Sequence, residues 1–137
     1  MNKLLEHQLR SHSYKITPPR VELFALLQNG PATPKELADT LSPRVDRAST
    51  YRTIALFEQL GVIHHLVLGG KRVIELTDTF SRHHHHLSCT RCGTIEAIDD
   101  PALETSLHAM IDSHGFSAQA HTIEVSGTCA SCTGATR

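Results

Sequence analysis

Apolar residues recur at helical spacing through most of the first 60 positions, and in short strand-like runs beyond them. Residues 1–30 predict two helices. The second opens with Thr17 as N-cap and Pro18 and Pro19 in its first turn, where a missing N–H costs nothing. Val21, Leu23, Phe24, Leu26 and Leu27 follow, and Asn29-Gly30 stops it. Thr33-Pro34-Lys35-Glu36 has the form of a capping box and opens a short helix through Leu37, Ala38 and Leu41, broken by Ser42-Pro43. A fourth helix is predicted from Asp46 to Leu60, ended by Gly61. Its first half is polar and cationic (Arg47, Ser49, Thr50, Arg52, Thr53), its second half apolar.

Val62–Leu68 and Arg72–Leu76 flank Gly69-Gly70-Lys71, a hairpin signal. Helix, turn, helix and hairpin is the order of a winged helix-turn-helix. In that fold the second helix of the pair enters the major groove. Residues 77–82 lack periodicity and read as a hinge. Beyond it, His83–Ser88 and Thr94–Ile98 read as strands, Asp100-Pro101 starts a helix ended by Gly115, and Ala120–Ser126 alternates as a last strand. The expected fold is therefore α+β, with a winged-helix domain at 1–76 and a small α+β domain at 83–137. The second domain is too short to bury a large core, so a structural metal and a partner subunit would both help stabilise it.

Charge sharpens this division. The net charge is −1, but residues 1–76 carry 10 Lys+Arg against 7 Asp+Glu, and residues 77–137 carry 3 against 7. The first half is suited to phosphate and the second to cations. No apolar run approaches the roughly 18 residues of a membrane helix. The first 15 residues lack an apolar signal region, so the expected setting is the cytoplasm, with no membrane partner.

Nine of the eleven histidines lie after residue 63, and the four cysteines form two CxxC pairs 36 residues apart. In a reducing compartment paired CxxC units favour a metal over disulfides. Cys89, Cys92, Cys129 and Cys132 are thus expected to close a tetrahedral structural zinc site with no open position. Neighbouring residues of a strand face opposite ways. His83 and His85 then share one face and His84 and His86 the other, so one strand can feed two metal sites. Glu104 and His108 stand one helical turn apart, His121 lies in the last predicted strand, and His64 and Glu75 lie in the two wing strands.

Together these segments resemble the ferric uptake regulator family over nearly the whole chain. The resemblance rests on Lys15–Arg20, on Ala48-Ser49-Thr50-Tyr51-Arg52-Thr53-Ile54, and on the wing Gly69–Thr77. It continues through His83–His86 with Leu87, Cys89 and Cys92, and through His114-Gly115-Phe116, His121, Glu124 and Gly127-Thr128-Cys129. It implies a homodimeric repressor whose binding to a palindromic double-stranded operator is promoted by metal, acting on metal-uptake or stress genes. By position it implies a structural Zn(2+) at the four cysteines and a second site at His83, His85, Glu104 and His121. A regulatory site follows at His64, Glu75, His84 and His86, holding Zn(2+), Fe(2+) or Mn(2+).

DNA contacts are implied at Tyr51 and Arg52, with Lys15 near the minor groove. Arg52 is expected to read a guanine edge, Tyr51 a thymine methyl or a phosphate, and Ser49 and Thr50 to anchor phosphates beside Arg47. The chain departs from iron-type members at Pro31, where many have a histidine ligand, and has His64 where zinc-type members place one. Thr77 stands where zinc-type members often have a cysteine. The all-N/O regulatory set suits Zn(II) and Fe(II) alike, and zinc sensing is the favoured expectation, with iron, manganese or peroxide sensing as alternatives. A zinc-dependent hydrolase is the rival of another class. No HExxH, nucleophile elbow or phosphate-cradling glycine loop supports it. A metal store without DNA function leaves residues 46–76 unexplained.

Overall fold

The structure, a computed structural model, describes residues 2–135. Met1, Thr136 and Arg137, which the domains expected at 1–76 and 83–137 include, lie outside the described residues. In chain order the elements are α1 (Lys3–Ser11), α2 (Pro18–Leu27), α3 (Pro34–Leu41), α4 (Arg47–Gln59), β1 (Ile63–Leu68) and β2 (Lys71–Leu76). Then come β3 (His85–Cys89), β4 (Ile95–Ile98), α5 (Pro101–Ser113), β5 (Glu124–Gly127) and α6 (Ala130–Ala135). The architecture is α+β, as expected. The chain divides into two compact units, Met1–Val67 with Lys71–Arg82 and Leu68–Gly70 with His83–Arg137. No described helix is long and apolar enough to cross a membrane.

The first unit is organised by its helix starts. Asn2 caps α1 by accepting from the Leu4 and Leu5 N–H groups. Thr33 accepts from Glu36 N–H at 3.1 Å while Glu36 accepts from Thr33 N–H at 2.8 Å, so the capping box forms as read. Asp46 caps α4 through Ser49 N–H at 2.9 Å. Thr17 precedes α2 without a side-chain bond, and the two prolines set that start instead. Leu5, Leu9, Leu23, Leu41, Phe57, Val62 and Ile74 are almost fully buried in one apolar cluster. β1 and β2 pair as the wing hairpin. Gly69 and Gly70 both have positive φ (58° and 77°), the pattern of a tight two-residue turn that side chains would strain. Ala32 adds a bridge to Ile74 in both directions (3.1 and 2.9 Å), a pairing the loop sequence did not announce. Residues 77–81 close a turn in which Phe80 and Ser81 N–H groups donate to the Thr77 carbonyl (2.8 and 2.9 Å). Phe80 packs edge-on to Phe24 at 6.0 Å.

The second unit is a three-stranded sheet in the order β4-β3-β5 with α5 and α6. β3 is central, antiparallel to β4 and parallel to β5, with His86 beside Glu124 and Leu87 between Glu96 and Val125. Three expectations change here. The strand at 83–88 starts only at His85, and the last strand starts at Glu124 rather than Ala120, because β5 pairs only from the residue beside His86 onwards. The short helix α6 was not read from Ala-Ser-Cys-Thr-Gly-Ala, which lacks an apolar period. It begins inside the second CxxC pair and carries Cys132. α5 starts where Asp100 accepts from Ala102 and Leu103 N–H groups, and it buries no residue. Leu87, Met110, Phe116 and Val125 are exposed apolar side chains.

Candidate metal centres and nucleic-acid interface

The strongest constellation is the cysteine quartet. Cys89 ends β3, Cys92 follows in the turn, Cys129 precedes α6 and Cys132 lies within it. One sulfur from each lies within 4.8 Å of all the others. Cys92 Sγ and Cys129 Sγ are 3.7 Å apart, close to the roughly 3.8 Å edge of a tetrahedron with a zinc–sulfur bond of about 2.3 Å. All four thiols are free. The Cys129 and Cys92 N–H groups point at Cys89 Sγ (3.4 and 3.5 Å). These donors pull the Cys89 thiol down to about 6. Cys132 is pushed up to about 12, because its thiol hydrogen-bonds to Cys129 and Cys92. Sulfurs this close cannot all ionise alone, and a cation at their centre removes that conflict. The donor set fits a thiophilic divalent ion.

The second constellation joins β3 to α5. His83 and His85 present their rings 4.9 Å apart, as the alternation reading required, although His83 lies before the strand proper. Glu104, in the first turn of α5, reaches them. Its Oε1 is 2.5 Å from His85 Nε2 and 3.5 Å from His83 Nε2. Its Oε2 is 3.0 Å from His121 Nε2, which in turn is 3.1 Å from His83 Nε2. A tetrahedral ion with bonds near 2.0–2.1 Å has donors about 3.3–3.4 Å apart, so three imidazoles and a carboxylate suit one N/O-bound cation. The same imidazoles hold Glu104 below the usual carboxylate range, His85 first. Ile123 N–H donates to His85 Nδ1 at 3.2 Å, leaving the ring proton on Nε2 to face Glu104. A cation taken through Nε2 would require that proton to leave Nε2.

The four residues expected to regulate are placed by their own units. In the first, His64 Nε2 meets Glu75 Oε1 at 3.1 Å, with Glu75 almost buried (8% of its side chain exposed) and His64 open. In the second, the His84 and His86 rings lie 4.8 Å apart. His65, on the other face of β1, pairs with Glu58 at 3.3 Å instead.

On α4, Tyr51 is 45% exposed and Arg52 also faces out. Arg52 donates to Ser49 Oγ at 3.0 Å, and Ser49 donates to Asp46 at 2.6 Å, which orders the guanidinium along the helix. Arg47 is paired with Asp39 of α3, which also takes Lys35 at 2.7 Å. Asp39 was not singled out from the sequence, and only its position on the neighbouring helix reveals it. Lys15 is exposed in the loop before α2, and its carbonyl accepts from the Arg20 guanidinium. Thr50 does not serve as a phosphate anchor. Its side chain is fully buried and turns its hydroxyl towards the Asp46 carbonyl at 3.4 Å. Helical periodicity puts it on the same face as buried Thr53, Ile54 and Phe57, against the core.

A winged helix-turn-helix and a second unit with two compact donor clusters, carried on one chain, define a metal-binding DNA-binding protein. Residues 11–126 match the Ferric uptake regulator family, and the chain belongs to that family. Its members are metal-responsive transcriptional regulators that bind operator DNA, not enzymes, which removes the hydrolase reading. A ferric uptake regulation protein of Legionella pneumophila is 30% identical over 133 residues, 91% of this chain and 96% of the relative. The crystal structure of the Vibrio cholerae ferric uptake regulator is 26% identical, with a TM-score of 0.70 over 90% of this chain and 99% of the other. A zinc uptake regulator complexed with zinc and DNA shares the fold, with a TM-score of 0.59 at 22% identity over 99% of each chain.

Proposed function

We propose that this protein is a homodimeric, cytoplasmic repressor that binds a palindromic operator when a regulatory cation is loaded, and so controls metal-uptake or homeostasis genes. The observation that carries the reading is the pairing of an exposed Tyr51–Arg52 edge on α4 with donor clusters whose spacing fits cations. The cysteine quartet holds structural zinc, and His83, His85, Glu104 and His121 hold a second ion. His64, Glu75, His84 and His86 hold the regulatory ion, drawn from the winged-helix domain (1–76) and the dimerisation domain (83–137) on either side of a hinge at 77–82. Phe80 packs against the core of the first unit.

A shared ion clamps the two domains in one orientation. In a dimer this fixes the separation of the recognition helices, which must meet major grooves about 34–36 Å or a multiple apart. Without the ion only a fraction of orientations can dock, and apparent affinity falls by that fraction. A coupling of about 1–3 kcal/mol, or 5–150-fold, suffices for a switch. The exposed Leu87, Met110, Phe116 and Val125 supply apolar area for the dimer contact.

The regulatory ion in this reading is Zn(II), supported by His64 at the start of the wing and by an imidazole-rich set. Fe(II) is the second reading, favoured by the ferric uptake regulation relatives. The test is operator binding titrated with Zn(II), Fe(II) and Mn(II), with the cysteine-bound zinc retained. Zn(II) is expected to act at the lowest free concentration, and His84→Ala or His86→Ala to remove the metal response while leaving the dimer intact. Metal-free protein that grips the operator as tightly as loaded protein defeats the proposal.

A further inference from the structure

The cluster at His83, His85, Glu104 and His121 has a neighbour that its four donors do not absorb. His108 lies one helical turn beyond Glu104 on α5, on the same face. Its Nε2 is 3.8 Å from Glu104 Oε2, and its ring centre is 5.8 Å from that of His121. His108 is the most open of the group: the His85 side chain is 2% exposed, His121 21%, Glu104 24%, His83 34% and His108 61%. The carboxylate oxygen that faces His121 is thus the one His108 also approaches, from the solvent side.

We propose that His108 is an entry ligand for a divalent cation, one that binds imidazole and carboxylate, on its way into this cluster. This rests on reading the cluster as a cation site. His108 and Glu104 capture the hydrated ion at the mouth. Glu104 then keeps it while His121, His83 and His85 replace His108 and the remaining waters. The chemistry is ligand exchange throughout, with no change of oxidation state. The four inner donors already make a full tetrahedral set, so His108 has no place in the resting shell. A ligand used only along the route lowers the same barrier in both directions. Loading and release therefore change together, and equilibrium affinity stays where it was.

The test uses the full chain with its cysteine-bound zinc and with His84→Ala to disable the proposed regulatory site. Co(II) is the probe, and its visible absorption follows loading and then extraction by a chelator. His108→Ala is expected to slow both rates by the same factor. The Co(II) spectrum and dissociation constant should stay unchanged, and His108→Asp, which restores a donor, should recover part of the rate. Unaltered rates in His108→Ala sink the entry role alone. Faster release with unchanged loading also overturns it, since that marks a resident ligand. If Glu104→Gln and His121→Ala leave Co(II) uptake intact, the cluster is not the site, and the reading beneath the proposal fails with it.

Discussion

Replacing Cys92 by serine isolates what stabilises the second unit. Cys92 is exposed, so the change opens no cavity and removes only a ligand. The quartet ties positions 92 and 129, 37 residues apart in sequence. A cross-link over a loop of that length restricts the unfolded chain by about 4 kcal/mol. A structural zinc in a small domain contributes an apparent 10–16 kcal/mol, on the order of the whole stability of an ordinary domain. Little else in this unit is of that size: α5 buries no side chain, and from His83 onward Cys89 is the one buried apolar residue among those described. The first unit keeps its own core through Leu5, Leu23, Phe57 and Ile74. Cys92→Ser should therefore lose one zinc per chain and become protease-sensitive from about His83 onward. It should keep most of its helical circular dichroism, which α1 to α4 provide. Chelation of the unaltered protein should give the same two-part outcome. A Cys92→Ser chain that keeps its protease resistance and its thermal midpoint would show that packing, not metal, holds this unit.

In the folded quartet the Cys129 and Cys92 N–H groups hold the Cys89 thiol down to about 6. Folding depresses this thiol from its ordinary value of 9.0, so its stabilisation is fully present above pH 9 and is lost as pH falls through about 6. The zinc-loaded protein should thus lose zinc and C-terminal structure together on acidification, read by zinc release and protease sensitivity, and C-terminal structure that survives zinc release refutes the assignment. Arg52→Ala should cost about 1–3 kcal/mol of operator discrimination if it reads a base edge. Thr50→Val should leave DNA affinity unchanged because that side chain is buried, and a loss there in gel-shift titrations contradicts its assignment to the core. Thr33→Ala removes a cap that bonds Glu36 N–H and should lower denaturant stability of the first unit by about 1 kcal/mol, with no effect on zinc content.

Most of the local architecture was written in the sequence, because it depends on neighbours a few residues apart. The capping box at Thr33 and the Gly69-Gly70 turn are short-range chemistry and formed where they were read, while Asp46, read as the first residue of the fourth helix, is its cap. The His83–His85 and His84–His86 ring pairs expected from alternation are present, although β3 begins only at His85 and the two leading histidines lie before it. The CxxC spacing announced two thiol pairs, and the fold brings one sulfur of each cysteine within 4.8 Å of the others. Tertiary packing decided the rest, because it turns on which face of an element meets another. Thr50 and Tyr51 are adjacent in one polar stretch, yet one is fully buried and the other open, and the core formed by Phe57 and its neighbours makes that choice. The parallel pairing of β5 with β3 set where the last strand begins. The partnership of Asp39 with Arg47 across two helices, and the approach of His121 to Glu104 and to the His108 ring from beyond α5, required separate elements to be brought together.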